Sequence, residues 1–351
     1  MTDRRIVVLQ SFPEPRATTN PYIVMLAQAI RAQGDAELLT FSWRTALTRR
    51  YDVFHIHWPE ILVEGRTPLR ALVRQLLTTL LLVRLAVLRI PVVRTVHNLE
   101  LPEGINRRQR FLLGRFARLT TLRITLNPLT PLPEGAEAVT ILHGHYRGWF
   151  EGVPRRSTVP GRLGYFGLIR RYKNVEGLVA AFRGLPRDAS LQIGGRPSTP
   201  ELAADITALA AGDDRISLSF GFLTDEELVA IATAAQLVVL PYREMHNSGG
   251  TLAALSLDRP VLIPDNDVNR ALAAEVGEAW VRRYPGELTT EVLLHALEAV
   301  RDDPPTGRPD LSAREWTAVG AEHVGAYRRA VQLAGARSHA TAAAQRRRYS
   351  W

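Results

Sequence analysis

The segment RRYKNVEG contains Lys173, the only lysine among the 44 lysine and arginine residues of the chain. It follows Arg170 and Arg171, and all three come shortly after an apolar segment that ends at Gly167 and is typical of a strand. The dipole of a helix opposes cations at its start, so a cationic cluster there suggests a bound anion. Such cations can hold a diphosphate and offset the charge that develops on a leaving nucleotide. A solvated helix start is the alternative.

A second candidate phosphate site lies in the segment LPYREMHNSGGTLAAL. Asn247 or Ser248 would cap a helix that opens with Gly249 and Gly250. Glycines let the backbone approach a ligand closely, and the N–H groups and dipole at a helix start attract phosphate. An ordinary strand, loop and glycine-rich helix start would give the same spacing, so both interpretations stay open.

Polar side chains also end two apolar segments in the first half of the chain. They are His57, Glu60, His97, Asn98, Glu100 and Glu103. Their spacing matches neither a metal motif nor a Ser-His-Asp arrangement. A third segment, HGHYRGWF, adds His143, His145 and Arg147, which we expect to line a cleft or a hinge.

Short apolar runs alternate with helical patterns along the chain, which predicts βαβ units and parallel sheets. The predicted strands are 5–12, 36–43, 52–58, 91–98, 122–127 and 138–144, followed by 161–167, 189–195, 215–221, 235–242, 260–265 and 278–283. Twelve strands in two sets predict an α/β protein with two Rossmann-like, doubly wound domains that face a cleft. The expected boundaries are 1–155 for the first domain, 156–335 for the second domain with its terminal helices, and 336–351 for a basic, poorly ordered tail.

Charge is distributed unevenly over the 351 residues, whose net charge is +9. The first 156 residues contain 22 arginines and 12 acidic residues, and the remainder is nearly balanced. This excess suggests a phosphate-bearing polymer or an anionic membrane surface, although an arginine-rich genome would produce it too. The helical pattern over 68–90 is strongly apolar but carries arginines, which suits either a buried helix or an interfacial one. With no cysteine and no signal-peptide pattern, a cytoplasmic location is expected, with the inner face of the plasma membrane as a further candidate.

Several motifs resemble those of nucleotide-sugar glycosyltransferases of the GT-B fold, in particular the family-4 type. The carriers are YFGLIRRYKNVEGLVAAF, LQIGGRP and the long segment from FGFLTDEEL to SLDRPVLIP. HIHWPE and TVHNLELPEG look like a subgroup of bacterial exopolysaccharide and glycolipid transferases that includes mannosyltransferases. The resemblance covers most of residues 1–335 and is more specific for sugar transfer than for the sugar.

The resemblance implies roles for individual residues. Donor-binding residues would be Gly167, Arg170, Lys173, Gly195, Glu244, His246, Asn247, Ser248, Gly249, Gly250 and Thr251. Catalytic candidates would be His97, Glu60 and Glu103 in the first domain, with Arg170 and Lys173 on the leaving diphosphate. The pattern is broken at Ala253, where relatives carry a glutamate that holds the donor ribose, and at Leu168, where they carry an arginine.

The expected activity is therefore transfer of a hexose from GDP-mannose or a UDP-sugar to a glycan, glycolipid or lipid-linked acceptor. The resemblance implies no metal and no cofactor beyond the nucleotide sugar as donor substrate, and we expect no nucleic-acid partner. A sugar-nucleotide epimerase of the same fold and a non-catalytic carbohydrate-binding scaffold are the alternatives. Inversion and retention of the anomeric carbon both remain open.

Overall fold

The computed structural model of the chain describes residues 4–16, 18–99 and 104–348. The chain folds into two compact units. Unit 1 contains the residues up to Gly144 together with those from Arg314 onwards, and unit 2 is His145–Ala313.

Unit 1 is built on a parallel sheet of six strands within the described ranges. These strands are β1 (Ile6–Gln10), β2 (Ala36–Leu39), β3 (Val53–Ile56), β4 (Val92–Val96), β5 (Thr120–Thr125) and β6 (Ala138–Thr140). Five helices join or precede them: α1 (Pro21–Ala32), α2 (Trp43–Thr48), α3 (Glu60–Val63), α4 (Pro68–Val87) and α5 (Arg107–Leu119). The sheet order is β2-β1-β3-β4-β5-β6, so the direction of winding changes between β1 and β3.

Unit 2 repeats this organisation with its own parallel sheet. Its strands are β7 (Arg162–Phe166), β8 (Ser190–Gly195), β9 (Ile216–Phe220), β10 (Leu237–Val239), β11 (Val261–Pro264) and β12 (Val281–Tyr284). Its helices are α6 (Val175–Phe182), α7 (Pro200–Ala210), α8 (Asp225–Ala234), α9 (Gly249–Ser256), α10 (Asp267–Val276) and α11 (Thr290–Asp302). The order β12-β11-β10-β7-β8-β9 reverses between β7 and β10. Ligands of such sheets bind beyond the carboxyl ends of the strands that flank this reversal.

Local signals explain where many of the helices begin. Pro68 opens α4 behind Thr67, whose hydroxyl accepts a hydrogen bond from the Arg70 N–H. Both α5 and α8 begin with a reciprocal capping box, formed in α5 by Asn106 and Gln109. The strands are short apolar runs between these helices, and each of the twelve predicted strands has a counterpart in the structure.

The predicted boundary between the domains at 155/156 is too late in the chain. The division falls between Gly144 and His145 because the segment that follows packs within unit 2. There the backbone N–H of Tyr146 donates to the Ser256 hydroxyl (2.8 Å) and the Trp149 indole donates to the Asp225 carboxylate (3.0 Å).

The last helix, α12 (Trp316–Arg348), belongs to unit 1 and not to the second domain, where the sequence placed it. Tyr327 on α12 is completely buried, and Gln33 at the end of α1 donates to the Thr317 carbonyl (3.1 Å). An ion pair joins Arg328 to Asp35. The helix also extends to Arg348, so most of the predicted poorly ordered tail is helical.

Candidate functional site

Two glycines end neighbouring strands of unit 2 at the reversal of the sheet. Gly167 follows β7 with a φ of +114°, and Gly195 ends β8 with a φ of +150°, values that side chains rarely permit. A Cβ on Gly195 would lie 1.8 Å from the Gly167 carbonyl oxygen. The two strand ends therefore approach each other so closely that only glycine fits at Gly195. The chain continues from Gly167 into the basic segment.

The three cations of the basic segment differ in their surroundings. Arg171 is exposed and pairs with Glu176 (2.8 Å) and Asp205 (2.7 Å), so its charge is already compensated. For Arg170 and Lys173 the structure shows no ion pair among the residues that it describes, and both side chains are half-buried. Burial lowers the pKa of Lys173, and the Arg170 charge lowers it further against an opposing effect of Tyr172.

The Lys173 ammonium lies over the ring of Tyr242, with Nζ 4.6 Å from the ring centroid. A cation in this position is attracted by the negative face of the ring. The Tyr242 side chain is buried, and its hydroxyl lies near those of Ser248 and Tyr165. Tyr242 therefore packs against the Lys173 ammonium and lies beside Ser248, which caps α9. The sequence motifs did not single out this residue, although it stands directly before the segment REMHNSGG.

A backbone hydrogen bond connects the basic segment with the glycine-rich one: the Arg243 N–H donates to the Tyr172 carbonyl (2.8 Å). These segments follow β7 and β10, the two strands that flank the reversal of the sheet. The basic segment and the loop that leads to α9 are thus joined directly within unit 2.

Ser248 is the N-cap of α9, and it is one of the two residues that the sequence predicted for this position. Its hydroxyl accepts a hydrogen bond from the Thr251 N–H (3.1 Å), and the Thr251 side chain is buried. The Thr251 N–H is therefore already used, which concentrates any phosphate contact on the N–H groups of Gly249 and Gly250 at the helix start. Ala253 is buried within the same helix.

The remaining donor-binding candidates lie in the loop before this cap. Glu244 is exposed, while His246 and Asn247 are half-buried, and burial lowers the pKa of His246. Between them the buried Met245 anchors the loop, because its carbonyl accepts a hydrogen bond from the Asn266 amide (2.9 Å). Contact of these side chains with a sugar stays a prediction.

In unit 1, His57 and His97 follow β3 and β4 and meet at the carboxyl edge of the sheet. His57 Nδ1 lies 3.2 Å from His97 Nε2, and the Trp58 ring stacks on His97 with centroids 4.2 Å apart. Burial, with the charges of neighbouring histidines, lowers the pKa of His97 well below its ordinary value. The imidazole is therefore neutral at pH 7, and the same burial makes it a weaker base than an exposed histidine.

Glu60 begins α3, just beyond β3, and its side chain is half-buried. Burial raises the pKa of Glu60, and the nearby Arg94 charge opposes this effect. Glu100 and Glu103, the other predicted carboxylates, lie outside the described residues. Of the HGHYRGWF residues, His143 belongs to unit 1, whereas His145 and Arg147 begin unit 2. Arg147 donates to the Pro309 carbonyl (2.7 Å), so it has a structural partner there.

Helix α4 has two apolar faces. One packs in the core of unit 1, mainly through Leu81, Leu82 and Leu85. The other, the α4 apolar face, is exposed and consists of Leu69, Leu72, Val73, Leu76, Leu80, Val83 and Val87. Such a stripe exceeds the scattered apolar residues of an ordinary surface. The structure thus excludes a helix buried on all sides, and within the described chain no helix is long and apolar enough to cross a membrane.

Helix α5 packs beside α4 and is strongly basic. Its exposed arginines are Arg107, Arg108, Arg110, Arg115 and Arg118, and the structure gives none of them an ion pair with a described residue. Exposed Phe111 lies among them. By contrast, Arg74 and Arg84 of α4 donate to backbone carbonyls of Ile61, Glu64 and Arg49. The available positive charge therefore lies mainly on α5, with exposed Arg70 on α4 as a further contribution.

No group of three or more His, Asp or Glu side chains suited to a metal ion occurs among the described residues. Independence from metal stays a prediction of the resemblance.

Comparison with known proteins identifies the fold. No protein-family model matches the chain. The structure is similar to Anabaena Alr3699/HepE in complex with UDP and glucose, with a TM-score of 0.59 and 14% identity over 97% of this chain and 100% of that one. It is also similar to sucrose-phosphate synthase from Thermosynechococcus elongatus, with a TM-score of 0.58 and 15% identity over the same shares. These likenesses confirm the predicted two-domain α/β fold of the GT-B type.

A closer relative identifies the family. The chain is 44% identical over 326 residues to the GDP-mannose:glycolipid 4-β-D-mannosyltransferase of Xanthomonas campestris pv. campestris, and the match covers 92% of each chain. The predicted glycosyltransferase activity is thereby confirmed, and the epimerase and scaffold alternatives are not favoured. The chain belongs to the family of the GDP-mannose:glycolipid 4-β-D-mannosyltransferases.

Proposed function

We propose that this protein transfers a mannosyl group from GDP-mannose to a glycolipid acceptor, forming a β-(1→4) linkage. Support for these substrates comes from the relative of 44% identity, whose name specifies them. The observation that carries the donor site is the pair of half-buried cations, Arg170 and Lys173, that the described residues leave without a carboxylate. A backbone hydrogen bond between Arg243 and Tyr172 joins this segment to the loop that leads to α9.

Unit 2 would bind the donor. The Lys173 ammonium, the Arg170 guanidinium and the N–H groups of Gly249 and Gly250 would contact the diphosphate. Negative charge grows on the GDP leaving group as the glycosidic bond breaks, so contacts that strengthen with this charge lower the barrier. Arg171 would not take part, because Glu176 and Asp205 already hold its guanidinium.

Unit 1 would bind the acceptor and supply the base. GDP-mannose holds its mannose in the α configuration, so a β product requires inversion and a group that accepts the proton of the attacking hydroxyl. His97 is one described candidate, because its imidazole is neutral at pH 7, although the burial that keeps it neutral also lowers its basicity. Glu60 is the other described candidate. We also propose that no bound metal is needed, since the cations of unit 2 can offset the diphosphate charge.

We further propose that the α4 apolar face and the arginines of α5 rest on an anionic lipid bilayer at the cytoplasmic side of the membrane. The leucines and valines would enter the boundary of the acyl chains and the arginines would meet lipid phosphates. Each arginine near such a surface contributes about 1 kcal/mol, and burial of the apolar stripe adds to this. Contact with a bilayer would bring the enzyme to a glycolipid acceptor.

The substrates are tested with GDP-, UDP- and TDP-sugars and a glycolipid acceptor. GDP-mannose should be the best donor and the product should be β-linked by NMR. Equal or better transfer from a UDP-sugar would contradict the proposed donor.

The membrane contact is tested by co-sedimentation with vesicles of neutral lipid alone or with added anionic lipid. Replacement of Leu76 and Leu80 by serine should weaken binding about 30-fold, since each half-exposed side chain contributes about 1 kcal/mol. Phe222→Ser, which removes an exposed aromatic ring of unit 2, is the control and should bind as the wild type does. Binding by the leucine variant equal to that of the control would contradict the proposed contact.

A further inference from the structure

Asn174 has an unusual backbone conformation, at the point where the 3₁₀ turn Arg171–Lys173 meets helix α6. Its φ of +52° and ψ of +39° lie in the left-handed region, which few residues other than glycine enter. The Asn174 N–H donates to the Arg171 carbonyl (3.1 Å), and the Asn174 carbonyl accepts from the Leu178 N–H (3.1 Å). This residue therefore ends the turn that carries Lys173 and begins the helix that follows.

The left-handed conformation sets the direction in which the basic segment meets α6. The helix is anchored in unit 2 by the buried side chains of Val175, Leu178, Val179 and Phe182. With the helix fixed, the two dihedral angles at position 174 determine where the preceding turn lies. In the observed conformation the Lys173 ammonium lies over the Tyr242 ring, 4.6 Å from its centroid. A right-handed residue at position 174 would extend the helix backwards and direct the lysine elsewhere.

The side chain of Asn174 packs against Gly177 on the first turn of α6. A Cβ added to Gly177 would lie 2.6 Å from Asn174 Nδ2 and 2.7 Å from Asn174 Oδ1, closer than such atoms can approach. Glycine is less favourable than alanine inside a helix, and Gly177 is not among the described glycines with a positive φ. The missing side chain at position 177 therefore makes room for the asparagine amide.

The same amide contacts the loop that leads to α9. The Arg243 guanidinium donates to Asn174 Oδ1 at 3.4 Å, and the Arg243 backbone N–H donates to the Tyr172 carbonyl (2.8 Å). Arg243 is exposed, and the structure gives it no ion pair with a described residue. Arg243 therefore places a further uncompensated positive charge beside the segment that carries Lys173.

We propose that Asn174 is a positioning residue of the donor site. Its left-handed backbone directs Lys173 onto the Tyr242 ring. Its amide, packed against Gly177, holds Arg243 as a further cation for the diphosphate. This role rests on the proposed function of Lys173, because a turn that positions a cation matters only where that cation binds the donor. Glycine would supply the same backbone without the amide, and a β-branched residue would supply neither.

The position of the lysine can be measured directly because the chain contains only one. Protein labelled with carbon-13 lysine gives one set of lysine side-chain NMR signals. The ring current of Tyr242 shifts the signal of the ε-methylene group while the ammonium lies over the ring. Tyr242→Leu removes the ring and marks the unshifted position. This measurement needs neither GDP-mannose nor an acceptor, so it does not depend on activity.

Two replacements of Asn174 test the role of the backbone. Asn174→Gly keeps the left-handed turn, so the lysine signal should stay shifted and kcat should remain within about threefold of the wild-type value, since only a contact with an exposed arginine is lost. Asn174→Val is incompatible with that turn, so the signal should move to its position in Tyr242→Leu. Its kcat should fall at least about tenfold, because displacement of a positioned group by about 1 Å can cost about 10²-fold. Asn174→Ala, in which the signal should move part of the way, carries the test if the valine variant does not fold.

Arg89→Val is the matched control for backbone strain. Arg89 is an exposed residue of unit 1 with a φ of +53°, so the variant places a β-branched residue in the same left-handed region of the other unit. It should lower the melting temperature about as much as Asn174→Val does and leave the lysine signal unchanged. A shift of the lysine signal in both variants would indicate a general effect of lower stability and would contradict the proposed role.

A double-mutant cycle tests the role of the amide. Gly177→Ala displaces the amide and Asn174→Gly removes it, so each should raise the KM for GDP-mannose by about two- to fivefold, the range of one exposed charge contact. The two changes together should raise the KM no further, because the alanine then no longer meets the amide. A KM equal to the product of the two single effects would contradict the contact between Asn174 and Gly177.

The positioning role is overturned if Asn174→Val keeps the shifted lysine signal, if Asn174→Gly loses it, or if the signal moves with no loss in kcat. Lack of transfer by the wild type would instead contradict the proposed function, and the lysine signals would still decide the position of the ammonium.

Discussion

Replacement of Lys173 examines the donor site most sharply, because the chain offers an arginine two positions earlier as a control. Lys173→Ala removes a half-buried ammonium that has no carboxylate partner among the described residues. Lys173→Arg keeps the charge but replaces a compact ammonium by a planar fork. Arg171→Ala removes a nearby charge that Glu176 and Asp205 already compensate.

The magnitude follows from the surroundings of the ammonium. Two unit charges about 4 Å apart attract each other by about 4 kcal/mol at the effective dielectric constant near 20 that suits such sites. The diphosphate is already anionic in the bound donor, so part of this attraction acts on the KM for GDP-mannose, and the part that grows as the leaving group gains charge acts on kcat. Lys173→Ala should therefore lower kcat by about 10²–10³-fold, the usual cost of one lost contact to a developing anion.

Lys173→Arg should also lower kcat at least tenfold. The Tyr242 ring holds Nζ at 4.6 Å from its centroid, and a guanidinium that lies flat on that ring directs its nitrogens differently. The kcat of Arg171→Ala should stay within twofold of the wild-type value, because exposed ion pairs contribute only about 0–1 kcal/mol.

The assay is transfer from GDP-mannose to the glycolipid acceptor with both substrates varied, and circular dichroism confirms that each variant folds. Arginine at position 173 with nearly normal kcat would refute the argument from shape. Equal losses in Lys173→Ala and Arg171→Ala would refute the assignment of roles among the three cations.

The same lysine should also give the enzyme an alkaline limit. Burial lowers the pKa of Lys173, and only the ammonium can hold the diphosphate. The value of kcat/KM should therefore fall as the pH rises through a value below the ordinary lysine pKa of about 10.4. The residual activity of Lys173→Arg should persist to higher pH. An alkaline limb that is identical in both proteins would contradict this assignment.

Three further predictions concern Tyr242, two buried histidines of unit 1 and the role of metal ions. Tyr242→Leu should raise the KM for GDP-mannose and lower kcat through loss of the contact with Lys173, whereas Tyr242→Phe keeps the ring and should do less; equal kinetics in the two variants would contradict the role of the ring. Burial lowers the pKa of His143 and of His323 to about 4 in the folded protein, and both should return to about 6.5 on unfolding. The unfolded chain then binds more protons below pH 6.5, so each histidine should remove about 2 kcal/mol of stability between pH 7 and pH 5; hydrogen exchange of the amides in β3 and β4 measures this, and constant protection over that range would contradict it. Transfer should survive EDTA, and recovery of a lost activity by a divalent ion would contradict the proposed independence from metal.

The α/β architecture could be predicted because its signals are local. Most strands are short apolar runs, and several are followed by glycine or polar residues, such as Gly167 after β7 and His57 after β3. Helix starts carry their own caps, such as Ser248 before α9. These features depend on backbone sterics and on hydrogen bonds between residues a few positions apart, so neighbouring letters of the sequence suffice to recognise them.

The boundary between the units, and the unit to which α12 belongs, could not be predicted in this way. Many positions along α12 are apolar, and that pattern shows that the helix packs without showing on which sheet. The prolines and arginines of segment 151–161 predict a linker there, but the residues before it already belong to unit 2. The Tyr146 backbone N–H and the Trp149 indole donate to partners more than 70 positions away. Pairings over such distances leave no periodicity in the sequence.

The amino-acid sequence by itself determined which residues stand at the ends of the strands, including the lone lysine and the glycines that precede and follow it. Only the tertiary structure decided which of the three adjacent cations is available, because Asp205, which pairs with Arg171, comes from another helix. It also brought Tyr327, 317 positions from Gln10, into hydrogen-bonding contact with that residue. Charge compensation and buried hydrogen bonds depend on atoms within about 3 Å of each other, and such contacts arise only after the chain has folded.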